Sequence, residues 1–266
     1  MVEPLHFETF GRRTGEPVVF LHGFMGSSID WRKVVEILEG DFYCVCVDLP
    51  GHGRSIGFYG RDAYTMPGTS RLLLHMLDGE GLKDAHVVGY SMGGRVALHF
   101  AVHHPDRCRR LILESASPGL EHEQARRERR QIDEARARRL ENGDLAEFLE
   151  EWYRQPLFAT YQDHPDLLRR MIESRRANDP LELARSLRGM GTGEQPSVWE
   201  RLGDMEIHAL AIVGELDARF VETAERMAAR MPNLQTSIVP NAGHNVHAEH
   251  PTAYAEIIRD YLTKPI

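Results

Sequence analysis

Ser91 lies in Gly89-Tyr-Ser-Met-Gly93, a G-x-S-x-G pattern set between a short apolar run and a segment of helical spacing. That context puts the serine on a tight strand-to-helix turn, with its hydroxyl exposed and the helix amides aimed at any negative charge developing beside it. A serine hydroxyl needs a base to take its proton, and the base needs an acid to hold its tautomer. Fourteen histidines compete for the first role. His244, in Asn241-Ala-Gly-His-Asn245 just after the last apolar run, suits a ring that must reach across to the serine. His247 and His250 are expected at the surface. Asp217, in Gly214-Glu-Leu-Asp217, follows another apolar run at the edge where open α/β sheets bind ligands. Glu114 and Glu215 are the rival acids. His22-Gly-Phe-Met-Gly26 fits a loop whose backbone gives a second donor, so the amides of Phe24 and Met92 are the expected oxyanion hole.

These residues need a scaffold, and the sequence supplies one. Buried-type runs fall at residues 18–21, 43–47, 86–90, 111–114, 207–213 and 235–239, alternating with helical spacing at 28–39, 69–77, 92–103, 221–230 and 251–262. The rhythm predicts an α/β protein: a mostly parallel central sheet flanked by helices. The order serine, acid, histidine is the one α/β-hydrolases use. Residues 118–190 hold no strand candidate, only helical patterns broken by Asn142-Gly143, Pro156, Pro165 and Pro180. They are expected to form a helical cap inserted into a core of residues 1–117 and 191–266.

Arginines narrow the chemistry. Arg95 falls on the same face of the elbow helix as Ser91, where a guanidinium needs a partner or an anion in the cleft. Arg129 and Arg136 share helical spacing with Ala125 and Ile132, and Arg175 continues the face of Leu168, Met171 and Ile172. Inward arginines on a cap, with Trp152 and Tyr153 nearby, suit a small ligand carrying more than one carboxylate. Solvated ion pairs are the alternative for each one.

The wording of the sequence resembles the 2-succinyl-6-hydroxy-2,4-cyclohexadiene-1-carboxylate synthases of menaquinone biosynthesis, on the α/β-hydrolase fold. The shared stretches are Leu21-His-Gly-Phe-Met-Gly26 with Trp31, Asp48-Leu-Pro-Gly-His-Gly53, Gly89-Tyr-Ser-Met-Gly-Gly-Arg95, Glu151-Trp-Tyr153 with Gln155-Pro156, Gly214-Glu-Leu-Asp-Ala-Arg-Phe220 and Ala242-Gly-His-Asn-Val-His247 with Glu249. The resemblance implies a lyase that eliminates pyruvate from 2-succinyl-5-enolpyruvyl-6-hydroxy-3-cyclohexene-1-carboxylate. Ser91 would act as the base, activated by His244 and Asp217. His22, Tyr90, Arg95, Arg129, Trp152, Arg175 and Arg219 would contact the substrate, with Arg126, Arg127 or Arg130 as substitutes if the cap register differs. Arg219 stands where the family often has lysine. No metal or organic cofactor is implied. A carboxylesterase, a carbon-carbon bond hydrolase and a non-catalytic ligand receptor are the competing readings of the same triad.

Composition removes other classes. The 266 residues are 42% hydrophobic and 27% charged, an ordinary globular balance. A net charge of -8 without a basic tract argues against nucleic acid. No window approaches the roughly 18 apolar residues of a membrane-spanning helix, no export signal opens the chain, and three cysteines suit a reducing compartment. A cytoplasmic monomer is the expectation.

Overall fold

The computed structural model describes residues 4–57 and 60–265. Among these residues seven strands build one sheet: β1 (Phe7–Phe10), β2 (Glu16–Leu21), β3 (Phe42–Val47), β4 (Ala85–Tyr90), β5 (Cys108–Glu114), β6 (His208–Gly214) and β7 (Leu234–Val239). Their order is β1-β3-β2-β4-β5-β6-β7. Only the β1–β3 pair is antiparallel among them. The sequence pattern missed β1, whose four residues are partly exposed and so lack a buried strand's apolar run.

Among the described residues ten α-helices accompany the sheet: α1 (Arg32–Leu38), α2 (Met66–Gly79), α3 (Met92–His103), α4 (Glu123–Asn142), α5 (Leu145–Tyr153), α6 (Pro165–Arg175), α7 (Pro180–Met190), α8 (Ala218–Ala228), α9 (Val246–Glu249) and α10 (Pro251–Thr263). Because side chains alternate along a strand, the inner strands are apolar on both faces and need helices on both. Val18, Phe20, Cys44, Cys46, Val88 and Ile112 pack with Trp31, Val35, Tyr254 and Ile258 of the α1 and α10 side. Their alternates Val19, Leu21, Val45, Val87 and Leu111 pack with Leu72, Leu73, Val96 and Phe100 of α2 and α3. Cys44 and Cys46 share one buried face, and burial pushes the Cys44 thiol up to about 12, which removes it as a nucleophile.

Helices α4 to α7 lie between β5 and β6 and carry their own apolar cluster, centred on Leu140, Leu149, Tyr153, Tyr161 and Leu183. Met25, from the loop after β2, is buried in it, and Phe24 packs against it. Among the described residues no helix is long and apolar enough to cross a membrane.

Buried histidines give the fold a pH dependence. The His52 ring is fully buried with its Nδ1–H on the Pro50 carbonyl at 3.1 Å, and burial pushes it down to about 3; burial also lowers His86 and His99 to about 4. Below the ordinary value of 6.5 the unfolded chain binds protons that the folded chain refuses, so stability is lost as the pH falls. His52 alone accounts for up to about 1.4 kcal/mol per pH unit in that window. The urea midpoint should therefore drop steadily from pH 7 to pH 4; a flat midpoint would show these rings to be accessible.

Candidate active site

The elbow is built by close approach. A Cβ on Gly93 would run into the Leu21 carbonyl, and one on Gly89 would meet the Gly93 carbonyl, so α3 can rest on the ends of β2 and β4 only with glycine at both positions. Ser91 itself takes φ +49, a left-handed conformation held by its amide bonding to the Glu114 carbonyl at 2.8 Å. The hydroxyl of Ser91 is 3.1 Å from Nε2 of His244, and Nδ1 of His244 is 2.7 Å from Oδ2 of Asp217. Since the carboxylate only accepts, Nδ1 carries the proton and Nε2 is free to take one from the serine. Asp217 sits at the start of α8, directly after β6, and His244 in the loop before α9. Phe220 and Tyr90 pack on the imidazole, 4.7 and 5.4 Å between ring centres.

The amides of Phe24 and Met92 have no acceptor among the described residues. Unspent backbone donors are uncommon inside a fold. Met92 opens α3, so its amide also carries the positive end of the helix.

Over these groups lies a cavity of about 500 Å³, lined by Ser91, His244, Phe24 and Met92 below and by Trp152, Gln155, Leu157 and Leu187 of the cap segment above. Four guanidinium groups line it: Arg95, Arg129, Arg136 and Arg219. Arg95 donates to the Met190 carbonyl at 2.7 Å, and no carboxylate lies within 4 Å of it among the described residues. Burial and the neighbouring Arg129 push it down to about 9, so it stays protonated at neutral pH with its charge under-compensated. Arg129 binds Asp133 at 2.9 Å, and Arg136 lies 3.6 Å from the same carboxylate oxygen. Arg219 is exposed at the rim, with no ion pair among the described residues. One buried carboxylate thus faces two arginines while two more face none. The cavity suits a polyanion.

A family model described as alpha/beta hydrolase fold matches residues 16–251. The chain is 34% identical over 253 residues to the 2-succinyl-6-hydroxy-2,4-cyclohexadiene-1-carboxylate synthase of Klebsiella pneumoniae (strain 342), spanning 94% of this chain and 95% of that protein. It superposes on MenH from S. aureus with a TM-score of 0.92 at 32% identity over 97% of each chain. The chain belongs to the 2-succinyl-6-hydroxy-2,4-cyclohexadiene-1-carboxylate synthase family. A thermophilic esterase from Thermogutta terrifontis, solved with malate bound, is also similar: 28% identity, TM-score 0.82, 97% of this chain and 92% of that one.

Three residues that the synthase resemblance placed at the substrate take other positions. Arg175 does face inward, but its guanidinium forms a two-pronged pair with Asp30, both bonds 2.7 Å, and lies outside the cavity lining. A partner on the core, distant in sequence, satisfies the charge that the helical pattern had assigned to a ligand. His22 is buried away from the cavity: its Nδ1–H donates to the Gly23 carbonyl at 2.7 Å and its Nε2 accepts from the Leu49 amide at 3.0 Å. It ties the loop after β2 to the loop after β3. Tyr90 follows Val88 to the α1 and α10 face of the sheet, where it packs between His244 and His247 and supports the triad from behind. Strand alternation explains that displacement.

Arg129 faces the cavity, although not for the reason the spacing suggested. Ile132, taken as an inward marker, is 50% exposed, and the buried stripe of α4 is Asp133, Ala137 and Leu140, which Arg129 and Arg136 flank. Gln155 was missed as a lining residue; its Oε1 accepts from Arg136 at 2.6 Å, and the Arg136 guanidinium also sits 5.0 Å over the Trp152 ring. His247, expected at the surface, is buried on Glu114, its Nδ1 2.7 Å and its amide 3.0 Å from that carboxylate. This second pair occupies Glu114, so the rival acid already has a histidine of its own.

Proposed function

We propose that this member of the synthase family eliminates pyruvate from 2-succinyl-5-enolpyruvyl-6-hydroxy-3-cyclohexene-1-carboxylate, giving 2-succinyl-6-hydroxy-2,4-cyclohexadiene-1-carboxylate for menaquinone biosynthesis. The observation that carries this reading is the meeting of a closed serine–histidine–aspartate chain with a cavity whose arginines outnumber its carboxylates. A substrate with three carboxylates matches that imbalance, and a simple ester does not.

In this reading Ser91 is a base. His244 withdraws the serine proton as the serine oxygen takes the proton beside the succinyl carbonyl, and Asp217 holds the imidazolium that forms. The electron pair left on carbon moves onto the carbonyl oxygen, which the amides of Phe24 and Met92 receive. When that pair returns, the carbon–oxygen bond to the enolpyruvyl group breaks and the second ring double bond forms. The departing enolate takes a proton to become pyruvate. Arg95 and Arg129 hold carboxylates, Arg219 guards the entrance, and Trp152 shapes the apolar wall.

The similar esterase makes ester hydrolysis the second reading. Purified protein given the enolpyruvyl substrate, with a coupled dehydrogenase reporting pyruvate, should turn it over far faster than aryl acetates. Rapid ester cleavage with no pyruvate would reverse the assignment.

A further inference from the structure

Phe24, the donor on the loop side of the proposed oxyanion hole, is anchored from two directions. On the core side, the Gly23 carbonyl accepts from His22 Nδ1 at 2.7 Å and from the Gly26 amide at 3.0 Å. Because the peptide is planar and trans, fixing that oxygen turns the N–H of Phe24 to the opposite side. On the cap side, the carbonyl of Met25, two residues after Gly23, accepts from Nδ2 of Asn178 at 2.9 Å. The Met25 side chain is buried in the cap's own cluster, and its backbone takes φ +63, a conformation an unbranched L residue keeps only when its surroundings hold it. Arg175, at the end of α6, grips Asp30 with two bonds of 2.7 Å, and Oδ2 of that aspartate lies 3.4 Å from the Ser27 amide. The end of α6 and the residues after it therefore grip both the middle and the far end of the loop that presents Phe24.

We propose that Arg175 and Asn178 are positioning residues for the oxyanion hole: through them the cap sets the Phe24 amide, and the hole is complete only while the end of α6 is seated on the core. The proposal builds on the elimination reading given above. It makes Arg175 a determinant of kcat, whereas a carboxylate clamp would act on KM.

Arg175→Lys keeps a cation beside Asp30 but loses the two-pronged geometry, and Asn178→Ala removes the bond to Met25 without touching the ion pair. Deleting one oxyanion donor outright lowers rates about 10²- to 10³-fold. A donor loosened but present should lower kcat about tenfold in each variant, with KM within about a factor of two. Labelling of Ser91 by a fluorophosphonate, whose phosphoryl oxygen uses the same hole, should slow by a similar factor. A raised KM with kcat retained would return Arg175 to substrate binding. A lowered thermal midpoint with kcat and labelling unchanged would make the contact purely structural, and a kcat loss without slower labelling would detach it from the hole. Any of these overturns the proposal. Slower labelling in the variants, beside a parent protein that releases no pyruvate, would instead defeat the elimination reading and leave the positioning role standing.

Discussion

Ser91→Ala should lower kcat for pyruvate release by about 10⁴-fold, the upper range for a positioned general base, while KM stays nearly constant. The side chain of Ser91 makes one hydrogen bond of consequence, to Nε2 of His244 at 3.1 Å, and the guanidinium groups that line the cavity belong to other residues. Substrate should therefore still bind and wait. His244→Ala should cost about as much, and the double variant little more than either alone, since the two act as one proton-transferring unit. The parent enzyme sampled during turnover should show no covalent adduct by mass spectrometry, because a serine that accepts a proton from carbon forms no acyl-enzyme. An accumulated adduct of the substrate's mass, or a Ser91→Ala variant with near-normal kcat, would remove the base role.

The second large effect concerns Arg95. Its guanidinium is partly buried at the cavity wall, bonded only to the Met190 carbonyl among the described residues, and pushed down by desolvation and Arg129. Such a group gains much from a bound carboxylate, and a charge-assisted hydrogen bond is worth about 1.5–3 kcal/mol. Arg95→Ala should raise KM about 10- to 100-fold with a smaller fall in kcat. Arg95→Lys should recover only part of this, because a lysine cannot bridge a carboxylate and the Met190 carbonyl with one planar fork. Steady-state kinetics over a wide substrate range would separate the two constants. An unchanged KM in Arg95→Ala would mean that the cavity's charge serves some other anion.

Much of the site could be read locally. The elbow announces itself because Gly89 and Gly93 must tolerate a backbone approach that other residues cannot, with Ser91 at positive φ between them, and Asp217 and His244 each follow a strand at the same sheet edge. What could not be read was which partner each charged side chain meets. Arg175 and Arg95 look alike on their helices, each an inward arginine, yet one meets Asp30 and the other an open cavity. His244 and His247 lie three residues apart, one before α9 and one within it, and serve two different carboxylates, Asp217 and Glu114.

By itself the sequence determined the parallel sheet, the turn that exposes Ser91, and the chain order in which acid and imidazole arrive at it. These depend on hydrophobic period and glycine spacing, which act over a few residues. Tertiary structure alone decided that His22 braces the loop after β3, that Tyr90 turns behind the triad, and that Arg175 is spent on Asp30. The physical reason is that a charge or a polar ring is satisfied by whatever lies within hydrogen-bond distance. For Arg175 and Asn178, that neighbour comes from a part of the chain more than a hundred residues away.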